Sequence, residues 1–112
     1  MMEMEVKIIG QVSVITLTGR FDAQQVANVQ QTLLDDVQFH PRVVINMEEV
    51  TFIDSAALAT LVQGMKRCRQ ADGDLRICNL KAPVSTIFEL TRLDKAFQLF
   101  DTLKAAVQSF HG

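Results

Sequence analysis

The sequence predicts an α/β domain with a mixed, mostly parallel sheet of four to five strands and about four helices, in the order β-β-α-β-α-β-α-β-α. Three observations carry this prediction. Val43-Val44-Ile45-Asn46-Met47 is a run of β-branched and apolar residues, the pattern of a strand buried on both faces. Stretches with apolar residues at helical spacing alternate with strand-like segments, so the chain returns over a sheet after each strand. Near the start, two short apolar segments flank Gly10-Gln11, which reads as a hairpin.

Val6, Ile8 and Ile9 belong to the first strand of that hairpin, and Val12, Val14, Ile15 and Leu17 to the second, which ends at Gly19. Asp22 is placed to cap a helix running to about Phe39, with Val26, Val29, Leu33 and Val37 as its apolar stripe and Leu34 beside it. Its glutamines and Asp35-Asp36 are expected to face water. His40-Pro41 stops this helix, because the residue before a proline avoids the helical region.

Arg42 opens the central strand, and Glu48-Glu49 is expected in a loop that leads on to Asp54. Leu58, Leu61, Val62, Met65 and Cys68 recur every three or four residues and mark one face of the next helix. That helix closes near Ala71-Asp72-Gly73, with Gly73 suited to a left-handed cap. Leu75, Ile77 and Cys78 give a further strand.

Asn79 to Ala82 form a connection, and Pro83 fits the first position of a third helix that carries Val84, Ile87 and Phe88 and ends near Arg92. Leu93 to Ala96 lead to a short strand, Phe97 to Phe100. Leu103, Ala106, Val107 and Phe110 line a last helix. No linker divides the chain, so 1–112 is read as one domain.

Composition narrows the function classes. The 112 residues are enough for one core without disulfides or metals, and 48% hydrophobic with 21% charged residues suits a globular fold. A net charge of −2 offers no basic surface for nucleic acid or an anionic membrane. No apolar run is long enough to insert in a membrane, and the acidic start Met1-Met2-Glu3-Met4-Glu5 does not read as a signal peptide, so a cytoplasmic location is expected.

Cys68 and Cys78 lack Cys-x-x-Cys spacing and nearby histidines. They read as small core residues of a reducing compartment, with a Cys68–Cys78 disulfide as the alternative. His40 and His111 carry no catalytic motif, and Lys66, Arg67 and Arg69 read as a solvated helix face. No metal or cofactor site is indicated.

Asp54-Ser55 lies where strand gives way to helix. Asp54 is a good N-cap, since its carboxylate can accept a first-turn N–H. Ser55 then falls at about the first helical residue, near the positive end of the macrodipole. Two alanines follow, so nothing bulky shields the hydroxyl. Taken alone the pair is a common helix cap.

The string from Val50 to Leu61 after a buried strand resembles the signature of STAS domains of the anti-sigma-factor-antagonist family. Gly19-Arg20-Phe21-Asp22 is similar to that family's Gly-x-hydrophobic-Asp segment. Cys78-Asn79-Leu80 and the run from Leu90 to Phe97 resemble its C-terminal pattern. The four segments occur in family order, and the likeness spans about residues 4 to 108.

The resemblance implies a switch rather than an enzyme, with no cofactor. The unphosphorylated domain would bind a serine-kinase anti-sigma factor, phosphorylation of Ser55 would end the association, and a Ser/Thr phosphatase would restore it. It also implies a partner-binding surface of Arg20, Phe21, Asp22, Asp54, Ser55, Ala56, Ala57, Leu58 and Ala59. Asp22 can equally be only a cap, and Phe21 is an anchor if exposed or core if buried.

Ala57 and Ala59 stand where the family often has glycine. Alanine strengthens a helix by roughly 1 kcal/mol per exchange but adds a methyl where a partner would approach. Two other readings remain: with the resemblance in fold kept, a constitutive STAS-like subunit of a signalling or lipid-transport assembly, with Ser55 as a plain cap; and a hydrolase with Ser55 as nucleophile, which needs a base beside it.

Overall fold

The computed structural model describes residues 2–111, so Met1 and Gly112 of the expected single domain lie outside the described residues. β1 (Met2–Ile9) and β2 (Val12–Phe21) form an antiparallel hairpin in register from Ile9 opposite Val12 to Met2 opposite Gly19. Gly10 sits in its turn at φ +62°, a left-handed conformation open to glycine without a Cβ clash. β3 (Arg42–Ile53), β4 (Asp74–Cys78) and β5 (Leu99–Phe100) add in parallel, and the sheet runs in sequence order from β1 to β5.

Parallel neighbours require crossovers, supplied by α1 (Val26–Val37), α2 (Ser55–Gln70), α3 (Val84–Leu90) and the one-turn α4 (Leu93–Ala96). α5 (Leu103–Gln108) follows the last strand. The α/β class and the mixed sheet are as expected.

Alternation along the strands sends side chains to two cores. Ile15, Leu17, Val43, Ile45, Met47, Leu75 and Ile77 pack with Val29 and Leu33 of α1, Ala57, Leu61, Met65 and Cys68 of α2, and Val84 and Phe88 of α3. Val12, Val14, Val44 and Cys78 meet Ala106 and Val107 of α5. β3 is therefore covered on both faces, which is why Val43 to Met47 read as an unbroken apolar run.

Several local expectations are corrected. β3 does not stop near Met47 but continues to Ile53, and Glu48 and Glu49 are exposed strand residues. The pairing passes from Thr16–Asn46 to Thr18–Glu49 and from Gly19–Val50 to Arg20–Phe52, so β3 carries an extra residue at each step. These bulges shift the alternation and bring Phe21 opposite Ile53. Asn46 Oδ1 accepts the Glu48 N–H at 3.3 Å beside the first of them.

The helix after Asp22 begins as a 3-10 turn, Ala23–Gln25, and α1 ends at Val37, leaving Phe39 outside it. Asp36 does not face water: it is half-buried, and its Oδ1 lies 3.2 Å from His40 Nδ1. Asp72, not Gly73, takes the left-handed conformation after α2 (φ +65°), with the Gly73 N–H donating to Cys68 O at 2.8 Å. Gly73 is needed for a different reason, since a Cβ there would lie 2.0 Å from Pro41 O.

Arg69 is not simply solvated. It donates to Asp74 Oδ1 at 2.9 Å and to Ala96 O at 3.1 Å, tying α2 to β4 and α4. Pro83 is the residue before α3, and α3 ends at Leu90, short of Arg92. Leu93 to Ala96 form a helical turn, and β5 is only Leu99–Phe100 because Phe97 turns into the core against Phe88, with ring centroids 5.9 Å apart. Cys68 and Cys78 are both buried and free.

Candidate functional site at the β3–α2 junction

The carboxyl ends of β2 and β3 stop together, because Phe21 and Ile53 are register partners. Asp22 and Asp54 therefore follow at the same end of the sheet. Asp54 is extended (φ −113°, ψ 179°), and its Oδ1 accepts the Ala57 N–H at 2.9 Å, capping α2. Its Oδ2 accepts the Ala23 N–H at 2.9 Å and clamps the neighbouring loop. Asp22 Oδ1 accepts the Gln24 N–H at 3.1 Å and caps its own turn.

Ser55 is the first residue of α2 and is exposed. By helix geometry the Ser55 and Ala56 N–H groups have no intrahelical acceptor, so two donors remain beside the hydroxyl. Ala59 is exposed one turn on, and Ala56 is half-buried. Thr60 is buried on the same helix and donates its hydroxyl to Ala56 O at 3.0 Å.

Three residues expected at the surface lie elsewhere. Phe21 is fully buried (0% exposed) and is core rather than anchor, because its pairing with Ile53 turns it to the face of the core that also takes residues of α1 and α2. Ala57 and Leu58 point into the same core, at 0% and 8% exposure. The Ala57 methyl thus adds no bulk toward a partner. Of the alanines standing where glycine was expected, only Ala59 presents a methyl outward.

One contributor was not anticipated. The Arg20 guanidinium carbon lies 4.0 Å above the centre of the Phe52 ring, giving a cation–π pair on the strands that lead to Asp22 and Asp54. The pair forms only because the second bulge sets Arg20 opposite Phe52.

Among the described residues, no histidine, lysine or carboxylate hydrogen-bonds the Ser55 hydroxyl, and no cluster of three or more His, Cys, Asp and Glu side chains could hold a metal ion. Burial pushes the Cys68 thiol up to about 12 and the Cys78 thiol up to about 11. These are inert core groups remote from nucleophile chemistry. No helix among the described residues is long and apolar enough to cross a membrane. The arrangement offers a fixed, exposed hydroxyl at a helix N-terminus, flanked by a second loop clamped to the same carboxylate.

Comparison with known proteins agrees with this geometry. The STAS domain family model matches residues 3–106. BtrV of Bordetella bronchiseptica, assigned as an anti-sigma factor antagonist, is 32% identical over 69 residues, which are 62% of this chain and 60% of BtrV, less than two-thirds of its length. The crystal structure of an anti-sigma factor antagonist from Mycobacterium paratuberculosis superposes with a TM-score of 0.91 at 24% identity, covering 100% of this chain and 96% of that one. The Bacillus cell fate determinant SpoIIAA in its phosphorylated form superposes with a TM-score of 0.78 at 16% identity, covering 96% and 99%. These last two likenesses are of fold. With the family pattern running through nearly all of its length, the chain belongs to the STAS domain family.

Proposed function

We propose that this chain is a phosphorylation-controlled anti-sigma factor antagonist. Unphosphorylated, it binds a serine-kinase anti-sigma factor through the face formed by Arg20, Asp22, Phe52, Ser55, Ala56 and Ala59, in the cytoplasm. Phe21, Asp54, Ala57 and Leu58 support that face from below. The kinase transfers the terminal phosphoryl group of ATP to Ser55 Oγ, displacing its proton, and the complex separates. A Ser/Thr phosphatase returns the hydroxyl.

The single observation that carries this reading is the exposed Ser55 hydroxyl held at the start of α2 by the Asp54 cap. A phosphate there adds a charge of about −1.5 to −2 and three strong acceptors without asking the fold to change. The free N–H groups and the helix dipole stabilise it by up to about 1 kcal/mol, and Asp54 opposes it. An interface shaped around a neutral hydroxyl would instead have to bury a dianion. The name carried by BtrV supports the antagonist role.

The test uses the kinase captured from the native cell. Phosphopeptide mapping after incubation with ATP should place the phosphate on Ser55. Ser55→Ala should keep kinase binding, and Ser55→Asp should lose at least about tenfold in affinity. Binding by Ser55→Asp as tight as wild type would falsify the switch.

A further inference from the structure

β1 lies at the outer edge of the sheet and pairs along its whole length with β2, so its other edge presents unpaired N–H and C=O groups. The opposite edge offers little by comparison, since β5 has two residues. Val6 and Ile8 of β1 are each 44% exposed although they share a face with the core residues Ile15 and Leu17 and with Met4, which packs against that core. Glu5 and Lys7 project to the other face and are exposed. Natural edges are protected by prolines, bulges, short length or charged side chains. β1 has no proline or bulge and is eight residues long, and its exposed charges, Glu3, Glu5 and Lys7, are of both signs, so they guard against a foreign strand while leaving one self-pairing register open.

The strand is complementary to itself. When two copies pair antiparallel about a two-fold axis normal to the sheet, directly opposed residues share a face. Centring the axis on Val6 opposes Val6 to Val6 and Met4 to Ile8 on the apolar face. It opposes Glu5 to Lys7, twice by symmetry, on the other. Centring on Glu5 or Lys7 sets like charges face to face. One register therefore satisfies backbone, apolar surface and charge together.

We propose that the chain forms a symmetric homodimer through β1 in the Val6-centred register, joining the two sheets into one. The edge is separate from the β3–α2 junction, so the dimer stands or falls independently of the Ser55 switch.

Sedimentation of the full chain over a concentration series up to about 0.1 mM tests it, with circular dichroism as the check on folding. Wild type should associate to a dimer. Glu5→Lys and Lys7→Glu each set two like-charged pairs across the axis and should weaken association at least about tenfold. An equimolar mixture of the two variants should recover a heterodimer, because every opposed pair is then unlike, and the doubly exchanged variant should recover the homodimer. A wild-type chain that stays monomeric throughout, or a dimer indifferent to these exchanges, overturns the proposal.

Discussion

The Asp54 carboxylate reaches across two loops: Oδ2 accepts the Ala23 N–H at 2.9 Å, while Oδ1 accepts the Ala57 N–H of its own helix at 2.9 Å. One side chain thus sets where α2 begins and where the loop after β2 lies. Asp54→Ala removes a helix cap and a hydrogen bond between loops, each worth about 1 kcal/mol, so unfolding in urea should show a loss of about 2 kcal/mol. Asp54→Asn keeps one acceptor oxygen and should cost about half as much. Equal stability of wild type and Asp54→Ala would show that the bridge is dispensable.

Ser55 is exposed, and its replacement disturbs no buried contact. Ser55→Asp places an anion in the first turn of a helix, where the dipole favours it by about 0.3–1 kcal/mol. The adjacent Asp54 opposes that gain. The stability of Ser55→Asp should therefore stay within about 0.5 kcal/mol of wild type. A melting temperature lowered by ten degrees or more would mean that the substitution acts through the fold rather than through the contact with the partner.

The parts of the fold that were legible depend on local periodicity. Val43 to Met47 and the Leu58–Leu61–Met65–Cys68 stripe show their burial in spacing alone, and Asp54 shows its capping role in its place before an alanine-rich helix. Phe21 was ambiguous, since a ring beside a loop can serve core or surface, and only the pairing with Ile53 decides it. The Arg20–Phe52 pair was hidden because two bulges shift the alternation of β3, and a bulge leaves no signature in the β3 sequence. The Asp36–His40 contact was visible as an i, i+4 pair. His40 reads from the sequence as a breaker before proline and as a histidine without a catalytic motif, and neither role points to Asp36.

Gly73 and Asp72 separate two reasons for a glycine. A Cβ at Gly73 would sit 2.0 Å from the Pro41 carbonyl oxygen, which is backbone and has little room to retreat. Gly73→Ala should therefore destabilise by about 3 kcal/mol or more. Asp72 holds the left-handed conformation (φ +65°), where glycine has no Cβ penalty. Asp72→Gly should be neutral or stabilising, by up to about 1 kcal/mol, in the same urea titration. The opposite ranking, with Gly73→Ala tolerated and Asp72→Gly costly, would mean that neither the close Pro41 carbonyl nor the left-handed φ at Asp72 governs this turn.

The two thiols give the chain a built-in weakness to alkali. Burial raises the Cys68 thiol from 9.0 to about 12, helped by the charges of Asp74 and Asp36, and raises the Cys78 thiol to about 11, helped by Glu48. The folded state then keeps protons that the unfolded chain has released. The thiols' stabilising contribution is complete below pH 9 and is lost as the pH climbs through 11 and 12. The loss should approach about 1 kcal/mol per pH unit for each thiol in that window. The measurement is a difference: urea unfolding of wild type and of Cys68→Ala/Cys78→Ala at several alkaline pH values. The variant should start less stable, from the volume it has lost, and fall less steeply. Parallel slopes would mean that the thiols ionise in the folded chain as readily as in the unfolded one.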